Sequence, residues 1–229
     1  MRQGGGGKGG RSRNPDLDGS RHLGHHRFEG GAPLIIAVTG TPGVGKSTFA
    51  RLLAKRLGVR LLRLNEWIKE RGLGRPAKDG TLEVDCRRLA KEFSKESWGD
   101  LVVEGHLSHH LPPERLSAVV VLRLHPKVLE RRLRARGYKG KKLWDNLEAE
   151  ALDLILVESL ERHGEGKVFE LDLTHTTAQE AVKRFVEAWR KGERVRDRVR
   201  WLESFVEEFK SELQASHWGE APSRPVRRS

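Results

Sequence analysis

The chain has 229 residues, 36% of them hydrophobic and 33% charged, with 44 Lys and Arg against 32 Asp and Glu and a formal charge of +12. That length and apolar content suit one globular domain with tails, and the clustering of apolar residues excludes a wholly disordered chain. The longest apolar runs, Leu34 to Val38 and Ala118 to Leu122, fall far short of the roughly 20 residues a membrane-spanning helix needs.

A single cysteine, Cys86, excludes an internal disulfide and a Cys-rich zinc site, and with no hydrophobic signal core before Leu34 a reducing, cytoplasmic location is expected. Residues 1–33 hold ten of the 25 glycines, show no periodic apolar pattern and read as a disordered basic arm. Their net charge is +3, that of residues 34–189 is +6 and that of residues 190–229 is +3, so half of the excess lies outside the main body. His22, His25 and His26 are a conceivable metal set, and incidental histidines on a mobile arm are the plainer reading. Arg supplies 29 of the 44 basic residues while Asn and Gln number three each. Such depletion of thermolabile side chains fits adaptation to heat, so ion-pair networks compete with nucleic acid as the reason for the charge.

Leu34 to Thr39 reads as a buried parallel strand, and Ser47 to Leu57 as a helix ended by Gly58. Between them, Gly40-Thr-Pro-Gly-Val-Gly-Lys-Ser47 satisfies the G-x-x-x-x-G-K-[ST] phosphate-loop pattern with both flanking elements in place. Glycines at Gly43 and Gly45, with Val44 between them, let backbone N–H groups turn toward phosphate oxygens at a helix N-terminus. Lys46 is expected to reach the β- and γ-phosphates, Ser47 to ligate Mg²⁺, and Thr48 to meet the α-phosphate.

The short strand Leu101 to Val103 ends at Glu104-Gly-His106. An acid at the carboxyl end of a strand beside a phosphate loop is where a Mg²⁺ shell is usually held, so Glu104 is the metal candidate, directly or through water. His106 is a candidate to orient an attacking water or bind a phosphate. A zinc site from His106, His109 and His110 is an alternative, with no cysteine nearby to favour it.

A third strand, Ala118 to Leu124, leads into a basic helix, Lys127 to Ala135. Its arginines precede Gly137-Tyr138-Lys-Gly140, which reads as a flap over transferring phosphates. Arg136, at the hinge, is the phosphate candidate, and Arg132 reads as a surface residue. A helix from Leu143 to Arg162, a strand from Lys167 to Leu171 and a turn at Asp172 to Thr174 beside the adenine follow, then a helix from Ala178 to Lys191. Residues 192–215 read as an amphipathic helix in heptad register through Val195, Val199, Leu202, Val206, Phe209 and Leu213, packing either on the body or on a partner. Residues 216–229, Pro- and Arg-rich, read as a disordered tail.

Taken together, residues 34–191 resemble the adenylate-kinase-like ATPases of small-ribosomal-subunit biogenesis, the family of the coilin-interacting nuclear ATPase and its archaeal relatives. The matching residues are the phosphate loop, Glu104-Gly-His106, Arg136-Gly-Tyr138, Lys141-Lys-Leu-x-Asp-Asn146 and Glu148-x-Glu150. The resemblance implies an α/β fold of the P-loop NTPase, nucleoside-monophosphate-kinase-like type, a five-stranded parallel sheet with flanking helices, here with a C-terminal helical extension. It places a monophosphate-binding region at about 63–86 and a lid at about 135–145. It also implies adenylate kinase activity on ATP and AMP with Mg²⁺, ATPase activity, and service in late 30S maturation and 16S rRNA 3′ processing, with a uS11-type ribosomal protein and pre-rRNA as partners. Lys69 stands where the phosphate-gripping arginine is expected, and Asp85 is the second monophosphate-site candidate. Glu104 stands where nuclear members carry Asp.

Overall fold

The computed structural model describes residues 31–77 and 82–212. Residues 1–30 of the arm expected over 1–33, with its three histidines, and the tail expected over 216–229 lie outside these. Five parallel strands form one sheet in the order β2-β5-β1-β6-β7, where β1 is Ile35–Thr39, β2 Arg60–Arg63, β5 Leu101–Glu104, β6 Ala118–Arg123 and β7 Val168–Asp172. The central β1 is buried along its whole length, which is why Ile35 to Val38 is a continuous apolar run rather than an alternating one, with the buried Thr39 at its end. Its residues divide two cores between them. Ile36 and Val38 join Phe49 and Phe185 on one face, while Ile35 and Ala37 join Trp67 and Phe93 on the other.

The first face is covered by α1 (Lys46–Leu57), α4 (Pro126–Ala135), α5 (Gly140–Ala151) and α7 (Ala178–Arg190). On it Phe185 meets Phe169 edge to face with ring centroids 4.9 Å apart, a geometry favoured by the ring quadrupoles. The second face is covered by α2 (Leu64–Glu70), α3 (Cys86–Lys95) and α6 (Leu154–His163). A two-stranded antiparallel pair, β3 (Gly74–Pro76) and β4 (Leu82–Val84), stands apart between α2 and α3. The α/β architecture is therefore the expected one. Parallel pairing of β1 with β5 sets Val38 opposite Glu104, and pairing with β6 sets Thr39 opposite Val121, so the functional strand ends are side by side.

Two expected helices differ. The single helix expected over 143–162 is two, α5 and α6, because Asp153 adopts a left-handed conformation at φ 56°. The break turns the Asp153 carboxylate onto the buried Arg123 guanidinium. A continuous helix over 192–215 is also not formed. Residues 193–201 run alongside β7 instead, with Glu170 N–H donating to Val195 O at 3.0 Å and Asp197 N–H to Glu170 O at 3.3 Å. Leu202–Glu208 forms the helix α8, and residues 210–212 are helical again beyond Phe209. Arg194, Arg196, Arg198 and Arg200 alternate with Val195, Asp197 and Val199, a period of two that suits an extended strap as well as a helix, and the strap turns where Arg198 adopts a left-handed φ of 50°. Phe205 and Phe209 are buried against Trp144, at centroid distances of 6.5 and 5.5 Å, whereas Leu202 and Val206 face solvent. Burying each phenyl contributes about 1.5–3 kcal/mol, several times an i,i+4 pair on a free helix, so packing on the body decides the path.

Candidate nucleotide-binding site

The loop from Gly40 to Gly45 joins β1 to α1 and is shaped by positive φ angles. A Cβ at Gly40 would lie 2.5 Å from Leu122 O, and one at Gly43 2.9 Å from Leu129 Cδ1, with φ at 134° and 98°. Only glycine satisfies both the dihedral and the space. Among the described residues no side chain caps α1, whose N-cap is Gly45. Its first N–H groups therefore remain available to an anion, with Thr48 exposed in that first turn.

The Lys46 ammonium is folded back onto the loop, donating to Gly40 O at 2.7 Å and to Thr41 O at 3.0 Å. Burial lowers its pKa to about 8, against the opposing pull of Glu104 and Glu150 and with Arg136 adding to the lowering. Ser47 Oγ lies 3.3 Å from both carboxylate oxygens of Glu104. A hydroxyl and a carboxylate converging so at the loop are hard oxygen donors of the kind that suit Mg²⁺. His106 stands two residues beyond Glu104, and its imidazole is pushed down to about 4, first by burial and then by Lys46, so it is neutral near pH 7.

Arg136 caps the C-terminus of α4, exposed, at the start of the Gly137–Lys139 connection to α5. Arg132, expected to be a surface residue, is exposed yet reaches the loop, with Nη1 3.4 Å from both Gly43 O and Val44 O. The turn after β7 also comes close, since Leu173 Cδ1 is 3.4 Å from the position of a Gly45 Cβ.

The residues behind the loop were not legible as a site. Thr41 Oγ1 donates to Glu150 Oε2 at 2.6 Å, and Glu150 Oε1 accepts from Arg123 Nε at 2.9 Å and Leu124 N–H at 3.0 Å. Arg123 Nη1 donates to Glu170 Oε1 at 3.0 Å. Arg123, Glu150 and Glu170 are all nearly inaccessible. The available signal was an arginine at the end of the apolar run Ala118 to Leu124, which has to be paired if buried.

The two monophosphate candidates occupy different settings. Lys69 is exposed on α2. Asp85 is the N-cap of α3, its Oδ1 accepting from the backbone N–H of Arg87 at 2.9 Å and of Arg88 at 3.2 Å. Its Oδ1 is thus committed to the helix end. Arg63, which sequence reasoning passed over, ends β2 directly opposite Glu104 and pairs with Glu66 at 3.0 Å. The histidines do not gather as His106, His109 and His110. His109 turns away from His106 toward Thr39 and Glu158.

A parallel sheet with a glycine-rich loop leading into α1 defines a P-loop protein of the kinase type. Residues 36–153 match the AAA domain family. The chain is 42% identical over 176 residues to a Pyrococcus abyssi protein named "Putative adenylate kinase", covering 76% of this chain and 94% of that one. It is 47% identical over 148 residues to a Methanothermobacter thermautotrophicus protein of the same name, covering 64% and 84%. Among solved structures, shikimate kinase from Acinetobacter baumannii in complex with shikimate superimposes with a TM-score of 0.50 at 17% identity, covering 70% of this chain and 94% of that one, and so shares the fold. The chain belongs to the family of these archaeal adenylate-kinase-named proteins.

Proposed function

We propose that the protein transfers the terminal phosphoryl group of ATP to a nucleoside monophosphate, most simply AMP, and hydrolyses ATP when water takes the acceptor's place. The observation that carries this reading is the convergence of Lys46, Ser47 and Glu104 at the phosphate loop. In it, Gly43, Val44, Gly45, Lys46, Ser47 and Thr48 hold the ATP phosphates, with Lys46 swinging from its carbonyl partners to the phosphate oxygens. Ser47 and Glu104 hold Mg²⁺, which neutralises phosphate charge when bound. Arg136, and Arg132 beside it, supply cations to the transferring group from the lid connection.

A monophosphate oxygen is already ionised, so its attack needs alignment rather than a general base. Arg63 offers that oxygen a planar fork near Glu104, with Lys69 a point charge further along α2. The region around Asp85 supports the monophosphate side through the capped α3. For hydrolysis the neutral His106 imidazole can accept a hydrogen bond from water and orient it. Assay of ATP turnover with and without AMP separates the two reactions. Lys46→Ala should abolish both, and retention of full turnover would overturn the site.

The second reading is a nucleotide-driven factor in 30S maturation and 16S rRNA 3′ processing that binds a uS11-type ribosomal protein and pre-rRNA. It rests on the sequence resemblance and on the +3 charge of each terminal region. A pull-down of that ribosomal protein with ATP, with ADP and without nucleotide tests it. Undetectable association in all three states would remove this reading and leave the kinase standing.

A further inference from the structure

Outside the nucleotide site, a second group of titratable side chains gathers where the turn 108–110, a short 3-10 segment after β5, packs on α6. His109 is buried, with 2% of its side chain accessible, and its Nε2 lies 2.9 Å from Glu158 Oε2. His110 Nε2 lies 3.9 Å from the same oxygen, and the two imidazole centroids are 4.0 Å apart. One ligating atom from each of His109, His110 and Glu158 falls within 4.8 Å of the others.

A hydrogen bond from His109 to Glu158 accounts for one imidazole. It does not account for a second imidazole crowded against the same carboxylate. Nor does it account for His110 Nδ1, a buried ring nitrogen with no hydrogen-bond partner among the described residues. Such an orphan costs about 1–3 kcal/mol and calls for a partner beyond the protein's own groups.

The surroundings of His109 are those of a ligand histidine. Its Nδ1 is 2.9 Å from Thr39 Oγ1, which also lies 3.4 Å from His106 O. When the hydroxyl proton goes to that carbonyl, Thr39 accepts from Nδ1–H and the Nε2 lone pair faces Glu158; in the other tautomer Nε2–H donates to Glu158, and release of that proton to an arriving ion frees the same lone pair. Two acceptors 2.9 Å apart are stable only with a cation or a proton between them. A ring held by its second nitrogen in this way is the usual support of a metal-bound imidazole.

We propose that His109, His110 and Glu158 bind one divalent transition-metal ion of the Zn²⁺ class. Two imidazoles and one carboxylate form a donor set that suits Zn²⁺ or Co²⁺ and is too nitrogen-rich for Mg²⁺. Glu158 is 38% accessible and His110 17%, so an ion can enter from solvent and a water can complete the shell. The ion would tie the turn that follows Glu104 and His106 to α6, and through Thr39 it would brace the strand end from which the phosphate loop departs.

The test uses the full chain, stripped of metal and saturated with Mg-ADP so that the nucleotide site is occupied, titrated with Co²⁺ and then Zn²⁺. One equivalent of Co²⁺ should give visible ligand-field absorption, and Zn²⁺ should bleach it and raise the melting temperature. His110→Ala and Glu158→Gln, chosen because both side chains reach solvent and their loss spares the core, should each weaken binding by about 10–100-fold or more. A variant with His22, His25 and His26 replaced by Ala should bind as the parent does. Absence of stoichiometric Co²⁺ absorption in the parent chain would overturn the site. So would binding that survives both His110→Ala and Glu158→Gln, or that disappears only with the three arm histidines.

Discussion

The Thr41 hydroxyl donates a 2.6 Å hydrogen bond to Glu150, a residue 109 positions further along the chain and fully enclosed. This contact ties the second residue of the phosphate loop to the last turn of α5, and through Glu150 to Arg123 and Leu124 at the end of β6. The loop's shape therefore depends on the helix that follows the lid connection. Thr41→Val removes the contact while leaving Glu150 paired with Arg123. Chemical denaturation should show a loss of about 1.5–3 kcal/mol, the worth of a hydrogen bond to a charged group. The KM for ATP should rise in the same variant, and Thr41→Ser should restore it.

Arg123 is the hub of a set in which Glu150 and Glu170 are buried and Asp153 is half-buried. Burial raises the pKa of Glu170, and Arg123 opposes that rise. Arg123→Met leaves three carboxylates without their cation and should destabilise the chain by about 3–5 kcal/mol, the cost of breaking a buried pair from one side. Adding Glu170→Gln to that variant should return part of the loss, because one uncompensated charge goes. Urea unfolding of the single and double variants measures both.

Lys46 has a pKa lowered to about 8 by burial, which fixes the sign of two pH effects. Below pH 8 the ammonium is charged and available to phosphate. As pH rises through 8 the free site loses its cation, whereas bound phosphates hold the proton. ATP affinity should therefore fall above pH 8, by up to about tenfold per unit, with proton uptake on binding visible by calorimetry in buffers of different ionisation enthalpy. In the free protein the unfolded chain binds more protons than the folded one between about pH 8 and 10.5, so Lys46 costs stability at neutral pH. Lys46→Met should raise the melting temperature at pH 7 while abolishing nucleotide binding.

Phe209 lies in the core with Trp144 and Phe205, under the Lys127 ammonium, which sits 3.6 Å from its ring centroid. Phe209→Ala should cost about 3–5 kcal/mol and change Trp144 fluorescence. A C-terminal segment that served only a partner would show neither effect.

The loop and its neighbours were legible because their signals are local. A buried strand, glycines at positions that demand positive φ, and Lys46-Ser47 opening a helix are all contained in residues 34–57. Glu104 was legible from its place at a strand end, and pairing in register then set it against Ser47. Asp85 caps α3 through its Oδ1, and spacing along the sequence does not distinguish a carboxylate that caps a helix from one that meets a ligand. The helix over 192–215 was misread because Val195, Val199, Leu202 and Val206 fit a heptad, while the alternating arginines between 194 and 200 fit a strand equally well. The break at Asp153 had no local marker such as Gly or Pro. It is held open by Arg123, thirty positions away.

By itself the sequence determined the class of fold and the phosphate loop, because short-range sterics, periodicity and backbone anion binding are properties of contiguous residues. Only the tertiary structure decided which charges are buried, what pairs with them and where the C-terminal strap runs. Burying Arg123 is tolerable only when Glu150, Asp153 and Glu170 arrive together, and seating Phe205 and Phe209 requires a Trp144 surface that exists only once α5 has packed. Those are free-energy terms of long-range contact, and no stretch of neighbouring residues carries them.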